Sequence, residues 1–256
     1  MRPATFASVV AACVLAVVLG SAPATAALPE SCIHGTAGND RFVFGVAAPP
    51  AGSIEVSATD SVCGGTGNDR LLVGDGARWS GVFFGEDGHD RISLGKGAVA
   101  DGVFIGSTGA DTIAFGESAV MRGRFYGGAG NDRAVDTECS RFVCKEGRYN
   151  GQFFGGPGND EIAFVILGPR GKFIGGPGGD WAHENNGGTF FGGKGADAAT
   201  FLLRGSFLGG PGNDIINEQM GGLFAGGKGR DTVICHVGGR TKGVEDRMPR
   251  TPQSAC

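Results

Sequence analysis

Apolar residues recur along this chain in a fixed relation to aspartate. Two and four positions after it come the pairs Phe42 and Phe44, Leu71 and Val73, Ile92 and Leu94, Ile113 and Phe115, and Ile162 and Phe164. The residue directly after each aspartate is polar: Arg41, Arg70, Arg91, Thr112, Glu161. Alternation with period two predicts a half-buried strand. A second short strand reads G-x-F-x-G and carries Phe83, Phe104, Phe125, Phe153, Phe173, Phe190, Phe207 and Phe224. Their common register predicts one ladder of rings inside a stack, with strands about 4.8 Å apart. Neighbours such as Phe84 are expected to face outward.

Between the two strands lies a six-residue corner. GTAGND ends at Asp40, GGTGND at Asp69, GEDGHD at Asp90, GSTGAD at Asp111 and GGAGND at Asp132. GGPGND ends at Asp160, GGPGGD at Asp180, GGKGAD at Asp197, GGPGND at Asp214 and GGKGRD at Asp231. From Asp69 the steps are 21, 21, 21, 28, 20, 17, 17 and 17. Internal periods near 20 mean stacked coils, because one coil cannot bury its apolar face alone. Each coil is expected to run strand, glycine corner, strand, glycine corner. The second corner is looser, as at Gly187-Gly188, Arg204-Gly205 and Gly221-Gly222. The expected fold is all-β, a parallel β-roll or β-helix solenoid of about ten short coils with glycine-rich turns.

Two segments break the period: 46–60, with Pro49-Pro50, and 136–150, with Cys139 and Cys144. The latter is expected to be an insertion loop. Two coils look like weaker strands, with Ala134 and Asp136 at the inward positions of one and Ala182 and Glu184 in the other. Residues 27–235 form the predicted solenoid and 236–256 a C-terminal cap or tail.

Composition narrows the class. Of 256 residues 51 are glycine, yet 41% are hydrophobic and 18 are phenylalanine. The three-residue glycine period of collagen is absent, and so much apolar matter argues against disorder. Residues 1–26 read as a secretory signal peptide: Arg2, an apolar run from Phe6 to Leu19, then Ala24-Thr25-Ala26. The run is short for a membrane span. A lipoprotein box at Val10-Ala11-Ala12-Cys13 is the lesser reading of this stretch. Cleavage after Ala26 removes Arg2 and moves the formal charge from −4 to −5, which does not suggest a nucleic-acid partner. Six cysteines remain, an even number in an exported chain, which favours disulfides among fifteen connectivities. Local pairing is the simplest: Cys32–Cys63, Cys139–Cys144 and Cys235–Cys256.

The nonapeptides GGTGNDRLL, GGPGNDEIA and GGPGNDIIN resemble the repeats-in-toxin, haemolysin-type calcium-binding family, whose repeat is G-G-x-G-x-D-x-U-x with U a large apolar residue. The resemblance runs from residue 35 to about 235. It implies Ca²⁺ between successive coils, held by glycine-turn carbonyls and by the side chains of Asp40, Asp69, Asp90, Asp111, Asp132, Asp160, Asp180, Asp197, Asp214 and Asp231. One motif per coil, where the family usually carries two, implies one calcium row. Glu86 and Ser107 stand where the motif has its second glycine, so those corners are expected to bind less well. The physics points the same way. Calcium wants six to eight oxygens, and stacked carboxylates repel by roughly 1 kcal/mol per neighbour in water. A turn in which aspartate only caps local amides is the alternative.

No catalytic signature stands out. His34, His89, His183 and His236 form no HExxH or triad pattern, and GxSxG is absent. The chain is therefore read as a secreted, non-catalytic calcium-binding protein, structural or adhesive, with an extracellular polysaccharide or cell-surface partner. A polysaccharide-active β-helix enzyme is the alternative. An ice-binding solenoid is a minor one, since the third motif position is irregular: Ala37, Thr66, Asp87, Thr108, Ala129, Pro157, Pro177, Lys194, Pro211, Lys228.

Overall fold

The computed structural model describes residues 31–136 and 147–247, without the side chains of 246 and 247. Every described element is a strand and every pairing is parallel. The strands wind into a parallel β-solenoid of about eight turns that carries the motif corners along one edge. The longer coils, such as the one that leads from Asp90 to Asp111, have three sides, not two. That coil runs Arg91–Leu94, Val99–Ala100 and Val103–Thr108. The unexpected side is two residues long, too short for alternation to register. Its inward residues Trp79, Ala100, Met121 and Tyr149 are fully buried.

The shorter coils, from Asp180 onward, lose the bump between the first two sides. Their sides merge into the single strands Trp181–Lys194 and Ala198–Pro211, whose pairing slips register at Asn185, Asn186 and Thr189. The coil of Glu161–Leu167 makes the transition. Phe164, expected inward, sits there at φ 57° and is 38% exposed, while Val165 takes the buried position. Of the two coils expected to be weak, the first forms the regularly paired strand Arg133–Asp136, while the second, Trp181–Lys194, is irregular in its pairing. Ala134, Asp136 and Ala182 are all buried. Glu184 does not turn inward, because the shorter coil places Asn185 there.

The phenylalanine register forms as expected, with rings in continuous contact from Phe125 to Phe224, while Phe104 packs on Trp79 and Phe83 on Phe42. Phe83 through Phe224 are buried in one core with Leu71, Ile92, Ile113 and Ile162. Ring centroids lie 4.9 Å apart for Phe153–Phe173, 4.7 Å for Phe173–Phe190 and 4.5 Å for Phe190–Phe207. Parallel register enforces this, since identical residues on neighbouring coils must sit one strand spacing apart. Phe84 lies off this core as expected, but it is only 2% exposed. It belongs to a second apolar cluster with Cys63, Val82, Ile105 and Tyr126.

The ends are closed in different ways. The 46–60 insertion returns as strand Ile54–Glu55 on the edge of Arg41–Phe44 that faces away from Arg70–Val73. Its Ile54 packs against the core and covers the first coil. Cys32 and Cys63 form a disulfide between the first two coils. Cys235 is also disulfide-bonded, whereas Cys139, Cys144 and Cys256 lie outside the described residues. Stacking passes residue 235: Arg240–Lys242 and Asp246–Arg247 add further strands.

Phe173→Ala removes a ring sandwiched between two others and is expected to cost about 3–5 kcal/mol. The same change at Phe191, 37% exposed, is expected to cost far less; denaturant melts of both variants give the comparison. Ser107 holds φ 84°, as Glu86 holds φ 74° at the equivalent position of the coil before, where the coil after has Gly128. Ser107→Gly should therefore raise stability, by about 0.5–1 kcal/mol after its own entropic cost. A lower melting temperature would contradict this.

Candidate functional site

A corner leaves backbone amides that no strand can pair; here the sixth-position amide lies in a dry interior, whereas the fifth-position one lies at the exposed edge. The motif supplies their partners from the neighbouring coils. The N–H of the fourth-position glycine donates to the third-position carbonyl of the following coil, as from Gly109 to Ala129 at 2.9 Å. At the fifth position the N–H reaches the other way. Asn68 donates to Oδ1 of Asn39, His89 to Oδ1 of Asn68 and Ala110 to Nδ1 of His89, all at 2.7 Å. The sixth-position N–H points forward again. Asp69 donates to Oδ1 of Asp90, Asp90 to Asp111, Asp111 to Asp132 and Asp132 to Asp160, each at 2.8 Å. Asp160, Asp180, Asp197 and Asp214 continue the series to Asp231 at 2.8–2.9 Å. Asp231 donates to Oε2 of Glu245 at 2.8 Å, which ends it.

All ten sequence-expected aspartates thus stand in one column, and nine of them, Asp69 to Asp231, are at most 1% exposed. The sequence reading missed the second column, built on Asn39, Asn68, Asn131, Asn159 and Asn213. The recurring Asn-Asp dipeptide carried that signal. The two residues serve amides that point in opposite directions along the axis.

One oxygen of each carboxylate is spoken for and the other is not. Oδ2 of all nine buried aspartates has no hydrogen-bond partner among the described residues. Asp40 differs: it is half-buried, and its Oδ2 accepts from the backbone N–H and the hydroxyl of Thr36. Each orphan oxygen lies against the first glycine of its own motif. A Cβ on Gly106 would collide with Asp111 Oδ2 and with the carbonyl oxygen of Gly127 in the next coil. Gly155 is caught in the same way by Asp160 Oδ2 and the Gly175 carbonyl, and Gly209 by Asp214 Oδ2 and the Gly226 carbonyl. Glycine is required there for space.

Two acceptors side by side in a dry corner need a proton or a cation between or beside them. The carboxyl pKa values express this. Burial pushes Asp111 and Asp160 up to about 8, with the neighbouring aspartate charges adding to the rise and one backbone amide opposing it. Asp90, Asp132 and Asp180 rise to about 7, and Asp197 and Asp214 to about 6, again through burial first. The donor set also fits calcium in kind, since it consists of carboxylate and carbonyl oxygens. Among the described residues no three His, Cys, Asp or Glu side chains converge on one point. Carbonyl oxygens would therefore have to complete any ion's shell.

The chain matches no protein-family model, no curated protein and no solved structure.

The pKa shifts give a signed expectation for metal-free protein. Folded-state values lie above the ordinary value of 3.8, so the native state binds more protons than the unfolded chain. The resulting stabilisation is fully present below about pH 4 and is lost as pH rises to about 8. Thermal melts in chelator should show the melting temperature rising as pH falls from 8 toward 5. A flat or inverted profile would remove the buried-carboxylate column from consideration.

Proposed function

We propose that the protein is an exported, non-catalytic calcium-binding solenoid with a structural or adhesive role, whose aspartate column takes up Ca²⁺ after secretion. The observation that carries this is the file of nine buried, partnerless Oδ2 atoms, seven of which share their first-position glycine with a glycine carbonyl of the next coil. The resemblance of the ten corners to the repeats-in-toxin nonapeptide, and the signal-like residues 1–26, support it. Asp69 to Asp231 would supply the carboxylate oxygens, and first-position glycines such as Gly127 and Gly175 the carbonyl oxygens. Bound calcium would offset the mutual repulsion of the column at neutral pH.

The chain's own residues set the conditions for this. Oδ1 of each aspartate is fixed on an amide of the preceding coil, which holds Oδ2 in place. The glycine corners carry high conformational entropy in the unfolded chain, so folding at neutral pH draws on whatever neutralises the column. A ligand that binds only the folded state adds RT ln(1 + [L]/Kd) per site. Extracellular calcium modules have dissociation constants of roughly 10⁻⁴–10⁻³ M. At the far lower free calcium inside a cell such sites stay empty, which keeps the chain export-competent.

Asparagine separates a metal-binding column from a purely structural one. Asp160→Asn keeps an oxygen for the Asp132 amide and offers an NH₂ donor to the Gly175 carbonyl. A structural column tolerates it, and the chelator melting temperature at pH 7.5 should rise. A calcium column loses a ligand, so the calcium midpoint should rise, with Asp75→Asn on an exposed loop leaving it unchanged. Circular dichroism and calorimetric titration of the mature chain read both effects. If melting temperature and strand signal are the same in chelator and in millimolar calcium at pH 7.5, the calcium reading fails.

A further inference from the structure

A different edge of the solenoid carries a cationic trough. Where the short side meets the phenylalanine side, Gly102, Gly123, Gly151, Gly171, Gly188 and Gly205 stack in one line, each against the backbone of the coil before. The residues flanking that line open two clefts. One, of about 430 Å³, is lined by Arg122, Arg124, Asn150, Gln152 and Arg170. The next, of about 420 Å³, shares Asn150 and reaches Asn186 and Arg204. Together they span five coil spacings, or about 24 Å at 4.8 Å each.

The charge in the trough is one-sided. Among the described residues, Arg122, Arg124, Arg170 and Arg204 make no ion pair with an acidic side chain. The one acid in the lining, Asp101, is held by Arg78. The acidic balance of the whole chain misleads here, because much of it is internal. Nine of the acids are the buried column aspartates, so the other residues of the mature chain sum to a formal +4.

We propose that this trough binds a linear acidic polysaccharide along the solenoid axis. Guanidinium groups meet carboxylates and sulfates with two parallel hydrogen bonds. Asn150, Gln152 and Asn186 can both donate to and accept from sugar hydroxyls. A coil spacing of about 4.8 Å is close to the repeat of a pyranose chain, so successive rungs meet successive sugars. Single-stranded nucleic acid is disfavoured, because base binding relies on aromatic platforms and neither cleft has an aromatic residue in its lining.

The test uses the mature protein in a buffer where circular dichroism shows it folded. This keeps failure of the trough distinct from failure of the calcium column. Affinity electrophoresis and calorimetry are run against polygalacturonate, dextran sulfate, neutral dextran and an oligothymidylate. Binding to at least one acidic glycan that weakens with salt, with neutral dextran ignored, is expected. The polygalacturonate and dextran sulfate arms tell a carboxylate ligand from a sulfated one. The Arg122→Gln/Arg170→Gln double variant should lose about tenfold or more in affinity, about 1.4 kcal/mol, at an unchanged melting temperature. Lys194→Gln/Lys228→Gln, exposed on the motif corner, should stay close to the parent. The proposal is overturned by no glycan binding, by equal binding of neutral dextran, by tighter binding of the oligothymidylate, or by equal losses in the two double variants.

Discussion

Everything in this fold depends on satisfying backbone amides at a corner whose sixth position faces a dry interior. Strands pair their own groups, but a chain that turns at the motif corner of every coil breaks pairing there. An unpaired buried amide costs on the order of 1–3 kcal/mol, and a stack of ten corners would multiply that beyond any domain's stability. The solution places an aspartate acceptor at every corner and, in six corners, a second acceptor (Asn or His) for the opposite direction along the axis. Asparagine serves the coil after it and aspartate the coil before it. Glycines at the first, second and fourth positions then follow from space and φ, and the phenylalanine ladder from the register that the corners impose.

That solution creates the chemistry of the site. An amide needs one acceptor and a carboxylate has two oxygens, so each aspartate brings a surplus oxygen into a buried corner. Asparagine at the sixth position could meet the same amide without a surplus charge. The sequence uses aspartate there in all ten corners, and does so at the expense of a column of like charges. A purely structural motif has no need of that choice, which is why the calcium proposal rests on the orphan oxygens and the account of folding on the paired ones.

Much of this was legible in the sequence because it repeats. The corner, the strand after it, the Phe83-to-Phe224 register and the aspartate column all recur, and a recurrence separates signal from coincidence. The Cys32–Cys63 bridge followed from locality. What escaped detection was either too short or not periodic. The side at Val99–Ala100 has two residues. Val165 displaced Phe164 from the core because one coil changes its length by a bulge. The burial of Phe84 depends on a second layer of contacts that alternation does not encode. The arginines of the trough fall beside corner glycines in coils of different length, so no fixed spacing links them. Only the stacking brings them into line.

The aspartate column has a direction, and direction makes the number of repeats an open quantity. Each rung asks something only of the rung beyond it, at 2.8 Å whether the intervening chain is 17, 21 or 28 residues long. A duplicated or deleted repeat would therefore leave every remaining sixth-position amide with a partner. The count is closed from outside the motif, by Glu245 reaching back to Asp231. Lineages of such a protein could vary in length by whole coils without relearning how to fold, provided that the glutamate at the end travels with the last repeat.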